Sequence, residues 1–196
     1  MTEVGARGRL TVLAVSAALT MSACSGGTDA VDLNNGGQFR FVEATPSGEL
    51  IGVGERGEAP DFGGILLDGG AFDPAGLAGD VVVINFWGSW CGPCRVESPE
   101  FQEVYDDVRD EGVSFLGVNV KDVDQLARAF VETHGLTFPS IFDPRGEVTL
   151  AFRDFPPTAI PSTILLDRDG RVAAVYVGAV SQDTLRAVLD TLLGES

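Results

Sequence analysis

The chain has 196 residues, enough for one domain with a short leader or linker, and 44% of them are apolar, enough for a real core. It carries 13 basic residues against 29 acidic ones, a net charge of −16, and Lys121 is its only lysine. That balance argues against a nucleic-acid partner, because phosphate contacts need clustered Lys and Arg.

In chain order, Arg7 and Arg9 precede an apolar run from Leu10 to Leu19, and small residues follow as far as Ala23-Cys24. This is the charged, apolar, small-residue layout of an export signal. The run falls short of the ~20 residues a membrane span needs. Met21-Ser22-Ala23-Cys24 also resembles a bacterial lipobox, in which Cys24 would be lipidated and become the new N-terminus. The alternative is a plain secretory signal with Cys24 incidental. The organisation read from these signals is a lipoprotein-type signal peptide at 1–23, a flexible Gly-rich tether at 24–58, and a folded domain at 59–196. Inside the tether, alternation over Gln38–Glu43 predicts a short strand.

From Ala59 the signals become regular. Asp61–Leu67 and Ala71–Phe72 flank Asp68-Gly69-Gly70, which predicts a β-hairpin. Asp73-Pro74 predicts a cap and a short helical turn to Ala78. Val81–Phe86, apolar except for Asn85, fits a strand buried on both faces. Apolar residues at helical spacing predict a helix from Pro93 to about Arg109, and Gly112 ends it. Val113–Val120 is a second buried strand. Asp122 is the expected cap of a helix over Val123–Thr133. A short strand at Ser140–Phe142, a short helix at Glu147–Phe152, a hairpin of Ser162–Asp167 with Val172–Val177, and a last helix capped by Ser181 complete the order. The expected class is α/β, a mixed sheet with helices on both faces.

The cysteines are Cys24, Cys91 and Cys94, and His134 is the only histidine. A structural zinc site wants four ligands, so no metal is expected. Cys-x-x-Cys at a helix start is the spacing of a redox pair. The outer thiolate gains from helix N–H groups and dipole, and the second thiol lies one turn on, close enough to resolve a mixed disulfide. The alternatives are half a zinc knuckle or two buried cysteines. For Cys91 this reading expects an exposed thiolate.

Val83-Ile84-Asn85-Phe86-Trp87-Gly88-Ser89-Trp90-Cys91-Gly92-Pro93-Cys94-Arg95 resembles the active-site strand and helix of the thioredoxin superfamily, and most closely the TlpA- and ResA-like extracytoplasmic thioredoxins. Ala59-Pro60-Asp61-Phe62, Glu97 with Pro99, the 121–150 stretch and Ile160-Pro161-Ser162-Thr163 agree with it. The resemblance covers about 59–196 and implies a thioredoxin fold with an added N-terminal β-hairpin and a central βα insertion. It implies Cys91 as nucleophile, Cys94 as resolving cysteine, and Pro161 as a cis-proline; a trans turn proline is the alternative. Trp90 and the backbone of Ile160 are the implied client contacts, with Trp87 and Trp90 shielding the disulfide.

One departure stands out. Asn85 occupies the place where many thioredoxins have a buried aspartate, and an amide cannot titrate. That leaves Glu97, one turn beyond Cys94, as the candidate acid–base group, against the alternative of a solvated or ion-paired helix residue. Arg95 is either a thiolate partner or solvent-facing, and His134 is read as a dipole partner at a helix C-terminus.

The implied function is reduction of disulfides in exported proteins, apocytochrome c among them. The implied partners are the membrane, through a lipid on Cys24 at the outer face of the cell membrane, and a CcdA-like membrane electron donor; no cofactor is called for. The same chemistry in reverse, a disulfide-forming oxidase, is the runner-up. A peroxiredoxin-type peroxidase would need Pro and Thr where Ile84 and Gly88 stand. A non-catalytic binding lipoprotein has no use for the intact pair.

Overall fold

The structure is a computed structural model that describes residues 50–155, 157 and 159–195. The expected signal peptide at 1–23, the lipidation site Cys24, most of the tether and the Gln38–Glu43 strand lie outside the described residues.

Val81–Trp87 (β3) forms the centre of a five-stranded sheet because every one of its residues is buried. Before it, Gly64–Ile65 (β1) and Ala71–Phe72 (β2) pair antiparallel as the expected hairpin. The strands are shorter than Asp61–Leu67 predicted, since Leu66 bridges Ile141 and the Leu67 N–H donates to the Ser140 carbonyl instead. After β3 come Cys94–Val108 (α1), Val113–Val120 (β4), Asp124–His134 (α2), Ser140–Asp143 (β5), Glu147–Ala151 (α3), Ser162–Leu166 (β6), Val172–Val177 (β7) and Gln182–Leu193 (α4). The sheet order is β5-β4-β3-β6-β7. Strands β3, β4 and β5 run parallel; β6 and β7 are antiparallel to their neighbours. This is the mixed α/β sheet of a thioredoxin fold.

Alternation along β3 sorts the core into two layers. Val81, Val83 and Trp87 face a layer with Phe101 of α1, Phe130 of α2 and Leu185 and Leu189 of α4. Val82, Ile84 and Phe86 face the other, with Val148 of α3 and Phe152, and Phe62 and Phe72 packed on its edge. Asn85 shares the odd-numbered parity of the α1 side, which brings an amide beneath the active-site helix.

Two expectations need correction. The folded body begins by Leu50, not at Ala59. The Ile51 N–H donates to the Ala173 carbonyl, and the buried Arg56 guanidinium bonds Asp167 at 3.1 Å, Glu195 at 2.6 and 2.8 Å and the Ile51 carbonyl at 3.0 Å. Arg56 holds the Glu195 carboxyl below its ordinary range. Glu195 is partly solvated and Asp167 keeps its bonds from the Asp169 and Arg171 N–H groups, so Arg56→Ala is expected to cost about 1–2 kcal/mol, read as a lowered urea midpoint. Second, Asp122 does not cap α2. Val123 is the N-cap, and the Asp122 carboxylate is turned elsewhere.

Candidate active site

The cysteine loop leaves the C-terminal end of β3 and enters α1. The Cys91 N–H donates to the Gly88 carbonyl at 3.0 Å, closing the turn. A Cβ at Gly88 would lie 2.6 Å from Nε1 of Trp90, so a side chain there would displace the indole. Cys91 and Cys94 are joined in a disulfide with Cα atoms 5.4 Å apart. The Cys94 N–H, free at the head of α1, donates to Sγ of Cys91 at 3.2 Å. An N–H aimed at that sulfur favours its thiolate once the bond is reduced.

Cys91 retains 3% of its surface and Cys94 none. The expected open exposure of Cys91 is therefore corrected: the residue packs with Trp87 and Cys94 in the core layer under the cysteine loop. Trp87 is itself buried and stacked on Phe130 at 4.7 Å, so it backs the pair from inside. Trp90 is 52% exposed, with its indole N–H on the Val120 carbonyl at 3.2 Å.

Asp122 is a site residue that sequence reasoning misplaced. Its carboxylate accepts from the Ser89 N–H at 2.6 Å, the Ser89 hydroxyl at 2.7 Å, Asn119 at 2.9 Å and the Val123 N–H at 2.8 Å. Burial opposes its charge, but these hydrogen bonds outweigh burial and hold the carboxyl below its ordinary range. It fixes the loop leading to Cys91. Arg95 is exposed and braces the same loop through the Ser89 carbonyl at 3.0 Å. His134 ends α2 with its ring 4.3 Å from that of Phe130.

Glu97 is neither solvated nor ion-paired: it is 2% exposed. One carboxylate oxygen accepts from the Val180 N–H at 2.7 Å and the other from the Asn85 amide at 3.1 Å, which also donates to the Thr163 hydroxyl at 3.1 Å. Burial pushes its pKa up from 4.5 to about 7, only partly offset by the bonds from Val180 and Asn85. Being three residues beyond Cys94 on one helix, it shares that cysteine's face.

The Ile160–Pro161 bond is cis. Pro161 lies one residue beyond the Phe86–Ser162 pair, beside the end of β3 from which the cysteine loop departs. Its carbonyl accepts from the Gly178 N–H at 2.9 Å, and Ile160, half-buried, packs against the core layer that contains both cysteines.

The redoxin family model matches residues 53–193. The chain belongs to the redoxin family. Among its relatives, the thiol-disulfide oxidoreductase ResA of Geobacillus thermodenitrificans is 33% identical over 152 residues, 78% of this chain and 82% of that protein. ResA of Bacillus anthracis is 32% identical over 67% of this chain and 75% of that protein. Among solved structures, a DsbF homologue from Corynebacterium diphtheriae superposes with a TM-score of 0.69 at 34% identity, covering 75% of this chain and 96% of that one. A secreted thiol-disulfide isomerase from Corynebacterium glutamicum gives 0.71 at 33% identity, covering 77% and 96%. This redoxin is a thiol–disulfide oxidoreductase of the ResA-like kind, and the Cys91–Cys94 pair is its redox centre.

Proposed function

We propose that the protein reduces disulfides in exported proteins, from a position outside the cytoplasm and tethered to the membrane by a lipid on Cys24. The observation that carries the assignment of roles is the asymmetry of the pair: Cys91 receives the helix N–H and retains 3% of its surface, while Cys94 retains none. Cys91 attacks one sulfur of the client disulfide as a thiolate, forming a mixed disulfide and expelling the other sulfur as a thiolate. Cys94 then attacks Cys91, which restores the intramolecular disulfide and releases the second client thiol. Two electrons pass to the client. Burial and a position one helical turn beyond Cys94 support Glu97 as the acceptor of the Cys94 proton. The edge at Ile160, next to Pro161, supports strand addition by an extended client segment, and Trp90 flanks the approach. A CcdA-like membrane donor returns the two electrons. Apocytochrome c is the client that the family resemblance points to.

The runner-up is an oxidase, which the N–H bond to Cys91 favours, since a stabilised thiolate makes a pair more oxidising. Gly92-Pro93, the dipeptide of reducing thioredoxins, favours the reductase. Redox titration of the pair, with trapping of its state in living cells, separates them. A potential near about −270 mV and a largely reduced pair are expected; a mostly oxidised pair near about −120 mV overturns the reductase reading.

A further inference from the structure

Seven large apolar side chains are exposed among the described residues, and Trp90, Val123 and Leu126 are three of them, at 52%, 59% and 55%. All three line one groove of about 670 Å³ between the cysteine loop and α2, floored by Phe130. An apolar surface gathered in one place beside a reactive pair is a binding feature, unlike singly scattered exposed residues.

The charge of this groove runs against that of the molecule. The chain carries −16 overall, yet the groove is lined by Arg95 and by Lys121, its only lysine. Asp122 is the one carboxylate on the lining, and its oxygens are already occupied by Ser89, Asn119 and Val123. Asp124, on the first turn of α2, is paired with Arg128 at 2.7 Å. Lys121 is also the one non-glycine residue among the described ones with positive φ, at 50°. Glycine or asparagine adopts that conformation more readily, so the backbone turn that carries Lys121 out of β4 is a locally demanding one.

We propose that this groove docks client segments carrying a bulky apolar residue and an acidic residue beside the target cysteine. The apolar side chain lies against Trp90, Val123 and Leu126, and the carboxylate meets Lys121 and Arg95. Trp90 adjoins Cys91, so a segment seated there brings its cysteine to the Cys91 side of the pair. The inference rests on the oxidoreductase reading and adds the class of client to it.

The test uses the full-length protein, reduced, with peptides whose single cysteine carries a mercaptoethanol mixed disulfide. The cysteine is flanked by Leu-Glu, Leu-Lys or Gly-Gln. Reading the ratio of rate constants within each variant cancels any common change in thiol reactivity. An exposed ion pair is worth up to about fivefold, so Leu-Glu should react about tenfold faster than Leu-Lys at low salt, with the gap closing toward molar salt. Lys121→Glu with Arg95→Glu should invert the order. Leu126→Gln should lower the Leu-Glu to Gly-Gln ratio severalfold. Arg186→Glu, on α4, should leave the ratios unchanged.

Equal rates for the three peptides, or a preference that survives the charge reversal, overturn the proposal while leaving the oxidoreductase reading intact. A protein that reduces no peptide and is inert to dithiothreitol loses both. A dimer that dissociates on Lys121→Glu, with no peptide preference, assigns the groove to a second copy. Re-reduction by membranes that fails in the variant, with peptide ratios unchanged, assigns it to the electron donor. Either result overturns the client assignment.

Discussion

Glu97→Gln is expected to slow collapse of the mixed disulfide by about a hundredfold near neutral pH, the usual contribution of a positioned acid–base group. The carboxylate is buried, shares a helix face with Cys94, and titrates at about 7, which suits proton transfer at physiological pH. In the parent protein the rate of collapse should rise with pH through a midpoint near 7, as ionised Glu97 becomes able to accept the Cys94 proton. In the variant the midpoint should move toward the ordinary thiol value of about 8.5. Rapid mixing with a peptide disulfide, acid quenching and resolution of the adduct reads both quantities. An unchanged midpoint would remove Glu97 from the proton path and leave it as a structural group.

The same burial has a consequence for stability, opposite in sign to that of most carboxylates. The folded state holds the Glu97 proton more tightly than the unfolded chain does, because its pKa is raised from 4.5 to about 7. The resulting stabilisation is fully present below 4.5 and is lost as pH rises to about 7. Over that window its size is ~3 kcal/mol. Glutamine is neutral throughout, so the urea midpoint of Glu97→Gln should lack this fall. The variant gives up one hydrogen bond, about 1 kcal/mol, because its amide N–H₂ would face that of Asn85. At pH 4 it should therefore be the less stable of the two proteins, and at pH 8 the more stable. Parallel midpoints at both pH values would show that the carboxylate does not titrate within this window.

Local signals located most of the fold and the centre of the site. Val113–Val120 and Val172–Val177 have the predicted bounds, because largely apolar runs between turn residues leave a strand no other place in a layered sheet. Ser181 caps α4 as its position predicts, accepting from the Thr184 N–H. What was not legible depends on long-range partners. Asp122 stands where a helix cap belongs, yet Ser89, 33 positions earlier, claims its oxygens. Glu97 looks like an ordinary residue of an exposed first turn. Its burial is set by Val180, 83 positions later, and by Asn85 on β3. The parity of Asn85 on β3 was the available clue, since it puts that amide on the same face as Val83 and Trp87, the face α1 covers. Arg56 sits in a Gly-rich stretch without local periodicity, and only its partners Asp167 and Glu195 draw it into the body.

Cys94→Ala should retain capture and lose turnover, whereas Cys91→Ala should lose both. Alanine rather than serine is the informative substitute at position 94, because the site is fully enclosed and a hydroxyl there would lack water. With Cys94 absent, Cys91 still has the N–H of residue 94, so attack on a client disulfide should proceed and the mixed disulfide persist. Envelope proteins separated without reductant should show adducts that dithiothreitol dissolves. Insulin reduction should fall by at least about a thousandfold in either variant, because the nucleophile and the resolving thiol act as one unit. With Cys91 absent, the remaining thiol lies under the loop held by Asp122, out of reach of a folded client, and adducts should be missing. Adducts in Cys91→Ala and none in Cys94→Ala would reverse the two roles. Adducts in neither would mean that the buried Cys91 does not admit protein disulfides, and would leave only small disulfides as substrates.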